Sequence, residues 1–256
     1  MKVVILAGGF GTRLSEETNI RPKPMVEVGN EPIIWHIMKI YSNYGYNDFI
    51  ICAGYKQEII KDYFLNYRTS HSDFEINFKT NYPVILNEPV EDWTVKIIDT
   101  GIKTMTGGRI KRIEKYVSGE SFMLTYGDGL TDLNMNDLFL FHKKHQKAAT
   151  VTAVKPVGRF GALTLDVDEH VSEFIEKPPG DGIWINGGFF VLEPDIFDVI
   201  QNDSTVWEQE PMTTLASNHQ LKAFKHNGFW RPMDTMSDKR ILEELWLSGR
   251  PPWRVW

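Results

Sequence analysis

Lys2-Val3-Val4-Ile5-Leu6-Ala7-Gly8-Gly9-Phe10-Gly11-Thr12-Arg13-Leu14 is the stretch whose reading decides the fold. Val3 to Leu6 is an unbroken aliphatic run that stops at Gly8-Gly9, the pattern of a strand covered on both faces in a parallel sheet. Pro22 and Pro24 deny a continuous helix to the segment after the glycines. From Pro32 the spacing turns helical: Ile33, Ile34, Ile37, Met38, Tyr41 and Tyr44 share one face, and Gly45 is a stop. Asp48 to Cys52 reads as a second buried strand, and Gln57 to Asn66 as a helix. Strand, helix, strand, helix is the alternation of βαβ units.

The middle of the chain keeps that rhythm. Strands are expected at Val95–Ile98, Ser121–Tyr126 and Ala149–Val154, and helices at Gly107–Val117 and Leu138–Gln146. After Pro156, glycine-rich turns (Gly158, Gly161, Gly180, Gly182, Gly187, Gly188) separate segments that read as antiparallel strands. Ile241 to Leu247 has helical character, and Pro251-Pro252-Trp253 cannot lie inside a helix. The expected fold class is α/β: a Rossmann-like mixed, mainly parallel sheet flanked by helices, with a β-rich later insertion. No linker marks a boundary, so 1–256 is expected to be a single domain. Within it the expected divisions are 1–135, 136–240 and, as a C-terminal helix and tail, 241–256.

Composition excludes several classes. The 256 residues carry 28 Lys+Arg against 34 Asp+Glu, a net charge of −6 with a pI near 5.7. Such a chain is unsuited to wholesale binding of nucleic acid or an anionic membrane, although a small anion needs only local positive charge. Hydrophobic residues at 42% place it outside the disordered class. Cys52, the single cysteine, excludes an internal disulfide and a multi-cysteine zinc site. The apolar stretch at Met1–Gly9 is too short for a signal peptide or membrane span, so a cytoplasmic setting is expected.

The small residues after the first strand let backbone N–H groups approach a ligand, and Arg13 adds a planar cation suited to phosphate oxygens. Lys23, set between Pro22 and Pro24, is an ammonium on a stiff segment. A plain glycine turn with solvated Arg13 and Lys23 would explain the same residues. Two familiar phosphate motifs fail on spacing. The dinucleotide fingerprint needs a third glycine where Leu14 stands, and the P-loop needs Gly-Lys-Ser/Thr where Gly11-Thr12-Arg13 stands.

Ala7 to Leu14, followed by Arg21-Pro22-Lys23-Pro24-Met25, resembles the signature of the sugar-1-phosphate nucleotidylyltransferases. The resemblance implies that Leu6, Ala7, Gly8, Gly9, Phe10, Gly11, Thr12, Arg13 and Lys23 surround a nucleotide. It also gives Arg13 and Lys23 catalytic roles on the phosphates. Transfer onto an α-phosphorus needs its anionic repulsion screened, normally by Mg²⁺ on carboxylates. The matching residues are Asp128, in Tyr126-Gly127-Asp128-Gly129, and Asp234, after Trp230-Arg231-Pro232-Met233. Gly127 and Asp128 also fall where a strand ends at a ligand-binding sheet edge. Taken alone, Asp128-Gly129 is a tight-turn dipeptide and Asp234 a helix N-cap. Asp132 and Asp166 read as surface acids.

The same resemblance places sugar-phosphate contacts at Gly161, at Glu176 and Lys177 in Phe174-Ile175-Glu176-Lys177-Pro178, and at Asn186 and Gly187, and so implies that 1–135 is mainly a nucleotide-binding half and 136–240 mainly a sugar-phosphate-binding half. Otherwise Glu176-Lys177 is an exposed strand end stopped by proline. No Gly-Leu-Ala-Gln base-reading motif is present. Asp99 to Arg109, with Trp93-Thr94-Val95 and Asn19 to Gly29, looks most like the glucose-1-phosphate cytidylyltransferases, which puts Thr104 and Arg109 at the nucleotide. The alternative is a helix start with Thr106 as cap and Arg109 on the surface. CTP and glucose 1-phosphate are the substrates this implies, giving CDP-glucose and pyrophosphate. It also implies a homo-oligomer and a bacterial cell-surface sugar (lipopolysaccharide) pathway. The alternatives are the same chemistry with UTP, dTTP or GTP, or a non-catalytic nucleotide-sugar-binding regulator.

His142 and His145 are weak metal candidates, because Lys143 and Lys144 between them oppose a cation. Trp246, Trp253 and Trp256 suit either a subunit contact or a cover for the last helix. Arg13, Arg21 and Lys23 fall close together in the chain, with Lys177 expected to join them, which predicts a local positive site within an acidic protein.

Overall fold

The computed structural model describes residues 1–87, 91–117, 119–156, 162–165, 168–175 and 183–256. Seven strands make the central sheet: β1 (Lys2–Ala7), β2 (Asp48–Ala53), β3 (Thr94–Asp99), β4 (Phe122–Tyr126), β5 (Ala149–Val154), β6 (Ile185–Leu192) and β7 (Leu221–His226). Their spatial order is β7-β5-β6-β4-β1-β2-β3. Only β6 runs against its neighbours; β1 pairs in parallel with both β2 and β4. The expected mainly parallel sheet is therefore present, and the later region supplies its antiparallel strand. A separate antiparallel pair, Ala162–Leu165 with Val171–Ile175, belongs to the β-rich insertion.

The continuous apolar runs have a direct cause in the two-sided packing. In β1, Val3, Ile5 and Ala7 enter a core with helix α1 (Ile33–Ser42), whereas Val4 and Leu6 enter a second core with Phe122, Leu124 and Trp207. Each such side chain contributes roughly 1.5–3 kcal/mol by leaving water. Cys52 lies in the second core, and burial pushes its thiol up to about 12. The expected face of α1 is buried at Ile33, Ile34, Ile37, Met38 and Tyr41.

Other elements depart modestly from the reading. Helix α2 runs over Gln57–Ser70, four residues beyond Asn66. The expected helix at Gly107–Val117 divides into α3 (Thr106–Arg112) and Glu114–Val117, because buried Ile113 leaves helical geometry at ψ 3°. Helix α4 (Met135–His145) begins earlier than Leu138, where the Asn134 side chain accepts two backbone N–H groups. Helix α5 (Glu210–Ser217) and the exposed hairpin Phe74–Asn77 with Tyr82–Ile85 were not anticipated. Helix α6 (Met236–Leu247) starts five residues before Ile241 through a capping box between Thr235 and Asp238.

The tryptophan-rich tail folds back onto α1. Trp253 is fully buried, and Trp246 and Trp253 flank His36 edge-on. His36 Nε2 donates to the Val28 carbonyl at 2.9 Å, and Trp253 Nε1 donates to His36 Nδ1 at 3.4 Å. Burial lowers the His36 pKa to about 4. The unfolded chain therefore takes a proton near pH 6.5 that the folded chain refuses, so this stability is complete above pH 6.5 and lost as pH falls towards 4. The expected loss across that window is about 3 kcal/mol. Urea melts at pH 7.5, 5.5 and 4.5 check it: His36→Gln should flatten that part of the pH dependence relative to the unsubstituted chain, and an unchanged slope would contradict the assignment.

Candidate active site

Every strand but β6 directs its carboxyl end to one edge of the sheet, and β1 is where chain order reverses between β2 and β4. Crevices at such switch points bind ligands in open α/β sheets. Three chain segments converge there. The glycine-rich loop leaves β1, and Gly127-Asp128 leaves β4, with the Gly127 N–H bonded to the Leu6 carbonyl at 3.1 Å. Asp234 arrives from the far end of the chain, carried by the short strand Trp230–Pro232 paired with Gly129–Thr131. A bond from the Met233 N–H to the Asp128 carbonyl at 2.8 Å locks the last two together.

Lys23 sits at their centre. Its Nζ donates to Asp128 Oδ2 at 2.6 Å and to Asp234 Oδ1 at 2.7 Å. Arg13 Nη1 donates to Asp234 Oδ2 at 2.9 Å. Burial alone would lower the Lys23 pKa, but the two carboxylates outweigh it and the ammonium ends above its ordinary value. Pro22, extended at ψ 150°, ends in the one-turn helix Lys23–Met25 that aims the side chain inward. Arg13 is freer: 69% of its side chain is exposed, so it can turn to a ligand. Asp128, Asp234, Arg13, Tyr126, Asn186 and Trp230 are among the residues lining a cavity of about 260 Å³. A larger cavity of about 610 Å³, walled by Phe64, Leu65 and Trp93, lies on the outer side of α2 and β3, away from these carboxylates.

Among the described residues this geometry balances the local positive charge expected of the site, and Lys177 lies outside them. Two cations face two carboxylates that lie 105 and 211 residues from Lys23 in the chain, so the four charges cancel. Arg21 does not join the cluster but pairs with Glu17 and Glu27. The capping alternative for Asp234 also fails, because Thr235 is the cap of α6. Asp128 keeps both readings, lying in a tight turn with its side chain on Lys23. Asp132 is half-buried and pairs with His226 at 2.9 Å, so it is more than a surface acid.

The loop itself is open to a ligand. Among the described residues, the N–H groups of Gly9 and Phe10 have no hydrogen-bond partner. Gly9, Phe10, Thr12 and Arg13 are exposed, while Leu6, Ala7 and Gly8 are buried beneath them. Arg109 has a use that the sequence did not suggest. It is 4% exposed, which overturns the surface alternative. Its guanidinium donates to the carbonyls of Gly8 and Gly101, each at 2.8 Å, and to the Thr100 hydroxyl at 2.7 Å. A Cβ on Gly8 would lie 2.1 Å from Arg109 Nη1, so glycine there is what lets the arginine brace the loop from below. Thr104 is buried against the same Gly101 turn. Thr106 is not a cap; its hydroxyl donates to Glu208.

Gly161, Glu176, Lys177 and Asp166 lie outside the described residues. Asn186 and Gly187 begin β6 and reach the same cavity. His142 bonds to Thr150 and Glu193, and burial lowers its pKa. Among the described residues no three His, Cys, Asp or Glu side chains gather as a closed metal cage. Asp128 and Asp234 still fit Mg²⁺, which commonly takes one or two protein carboxylates and completes its shell with water and substrate phosphates. The Lys23 ammonium bridges these two carboxylates.

The nucleotidyl transferase family profile matches residues 2–233. The chain belongs to the nucleotidyl transferase family. It is 55% identical to the glucose-1-phosphate cytidylyltransferase of Salmonella typhi, over 100% of both chains. It is 45% identical to the probable glucose-1-phosphate cytidylyltransferase of Bacillus subtilis, again over 100% of both. Among solved structures, HddC from Yersinia pseudotuberculosis superposes with a TM-score of 0.68 at 25% identity, covering 96% of this chain and 99% of that one. A UDP-glucose pyrophosphorylase, 18% identical, shares the fold at a TM-score of 0.68 over 97% and 99% of the two chains. As a nucleotidyl transferase the protein is an enzyme, and no described helix is long and apolar enough to cross a membrane.

Proposed function

We propose that the enzyme transfers the CMP group of CTP to α-D-glucose 1-phosphate, giving CDP-glucose and pyrophosphate. The observation that carries this reading is the 55% identity to a glucose-1-phosphate cytidylyltransferase along the whole chain. The balanced carboxylate and cation cluster beneath the glycine loop supports it. A phosphate oxygen of the sugar attacks the α-phosphorus in line, and the new P–O bond forms as the bond to pyrophosphate breaks. No covalent enzyme intermediate is needed, so catalysis is positioning and charge neutralisation.

The loop amides of Gly9 and Phe10 and the exposed Arg13 fork suit the triphosphate oxygens. Lys23 is placed to leave the carboxylates and follow charge onto the phosphates as the bond order shifts. Bound Mg²⁺, held by Asp128 and Asp234, would supply charge neutralisation of the triphosphate. Asn186 and Gly187 would meet the hexose, and Glu176 and Lys177 remain the proposed holders of its hydroxyls and phosphate. The reading includes a homo-oligomer in the cytoplasm, and the exposed Phe78, Tyr82 and Val84 of the 74–85 hairpin support self-association.

Pyrophosphate release with glucose 1-phosphate and each of CTP, UTP, dTTP and GTP tests the reading. CTP is expected to exceed the others by at least about tenfold in kcat/KM. Equal rates with all four would overturn the cytidylyl assignment, and no release with any would overturn the catalytic one.

A further inference from the structure

Tyr126 closes β4 immediately before Gly127-Asp128, and its ring is held on two sides. It meets the Phe190 ring edge-on with centroids 5.9 Å apart. It also lies against Gly188, where a Cβ would sit 2.5 Å from ring atom Cδ2. Gly188 has φ +80°, a left-handed backbone that glycine adopts freely, so this close approach costs no strain. The hydroxyl of this fixed ring donates to Glu208 Oε1 at 2.6 Å. Glu208 is itself fixed, because the Thr106 hydroxyl donates to Oε2 at 2.6 Å while accepting the Trp207 N–H at 2.9 Å. The single Tyr126 hydroxyl hydrogen is thus directed at the Glu208 carboxylate.

That proton determines what Asn186 does. A phenol has one hydrogen, and here it is committed to Glu208, so towards Asn186 the Tyr126 oxygen can only accept. The Asn186 atom 3.1 Å away is therefore the amide nitrogen. Gly188 demands the same orientation independently, because its N–H reaches Asn186 Oδ1 at 2.8 Å. Two contacts fix the amide flip that would otherwise be free. One N–H and one lone pair of Asn186 remain, and the residue lines the cavity with Asp128 and Asp234. A donor and an acceptor side by side match a hydroxyl group, which needs both.

We propose that Tyr126, backed by Glu208, is a positioning residue that sets the Asn186 amide for reading a hydroxyl of the sugar phosphate. The proposal rests on the glucose 1-phosphate reading. Without the Tyr126 oxygen the amide is held by the Gly188 N–H alone, so its nitrogen side can swing away from the hydroxyl, which weakens sugar recognition and leaves nucleotide binding alone. A phenylalanine keeps the ring and its packing, so Tyr126→Phe isolates the hydroxyl.

The test is steady-state kinetics of the full chain with both substrates varied, alongside galactose 1-phosphate as the epimeric competitor. Tyr126→Phe is expected to raise KM for glucose 1-phosphate about 5–20-fold, keep KM for CTP within about twofold, and narrow the preference for glucose over galactose 1-phosphate. Glu208→Ala should act in the same direction. Glu208→Gln should restore most of the loss, because its amide can accept from Tyr126 and donate to Thr106. Equal increases in both KM values would mean a merely structural tyrosine and would overturn the proposal, as would an unchanged KM for the sugar phosphate. If the unsubstituted enzyme makes no CDP-glucose, the functional reading falls and takes the proposal with it. If that enzyme is active and the variants match it, the proposal alone falls.

Discussion

Replacing Lys23 with methionine is expected to lower kcat by about 10²–10³-fold, the usual cost of removing one preorganised cation or donor from developing charge. Methionine keeps the length and the apolar stem, so Pro22 and Pro24 go on shaping the local chain. What disappears is the ammonium that bonds Asp128 at 2.6 Å and Asp234 at 2.7 Å. The local sum changes from zero (Arg13 and Lys23 against Asp128 and Asp234) to −1. A second consequence follows from that sum. A neutral cluster gives a lone divalent cation little reason to bind, whereas one with a net negative charge attracts it. Lys23→Met should therefore bind free Mn²⁺ more tightly than the unsubstituted enzyme when no nucleotide is present, as read by the fall in the free-Mn²⁺ electron paramagnetic resonance signal. Near-normal turnover would refute the central role of Lys23, and equal Mn²⁺ binding would refute the charge-balance account.

The same cluster shows where sequence reasoning succeeds and where it stops. Both carboxylates and both cations were legible as residues, because each sits in a short, distinctive context. Their mutual cancellation was not, since Asp128 and Asp234 come from other parts of the chain and the charge count by neighbourhood saw only Arg13, Arg21 and Lys23. Arg21 looked like part of the site for that reason, yet it lies within reach of Glu17 and Glu27 and bonds them instead. The fold was more legible. Strands buried on both faces announce themselves as aliphatic runs, and one face of α1 is written in its spacing. The three-residue strands that bring Asp234 to Asp128 carry too few side chains for any periodicity. The 74–85 hairpin is mostly exposed, so no alternation of buried and exposed residues marks it. Tyr126 and Glu208 were missed for different reasons. Tyr126 read as an ordinary strand end, although its place beside Gly127-Asp128 was a usable signal. Glu208 has no local signature at all; its role depends on lying where Tyr126 and Thr106 both reach it.

Substituting Arg109 should separate loop support from chemistry. Arg109→Met removes the donors to Gly8, Gly101 and Thr100, leaving Gly8 with only the Tyr55 N–H at 3.2 Å and the Gly101 carbonyl unpaired, at about 1.5–3 kcal/mol for each charge-assisted bond lost. Part of this is offset because a buried guanidinium, whose charge burial already disfavours, is no longer carried. A net loss of about 2–4 kcal/mol is expected, which for a chain of this size lowers Tm by roughly 5–15 °C. The kinetic signature is a larger KM for the nucleotide, since the Gly8 turn loses the shorter of its two anchors while Lys23, Asp128 and Asp234 stay in place. Arg109→Lys keeps the charge but cannot span two carbonyls and a hydroxyl with one ammonium, so it should fall between the methionine variant and the parent. Differential scanning calorimetry with nucleotide titrations checks both effects. Full stability with unchanged nucleotide KM would remove the brace from the account. A collapse of kcat with KM preserved would place the guanidinium on the reacting phosphates instead.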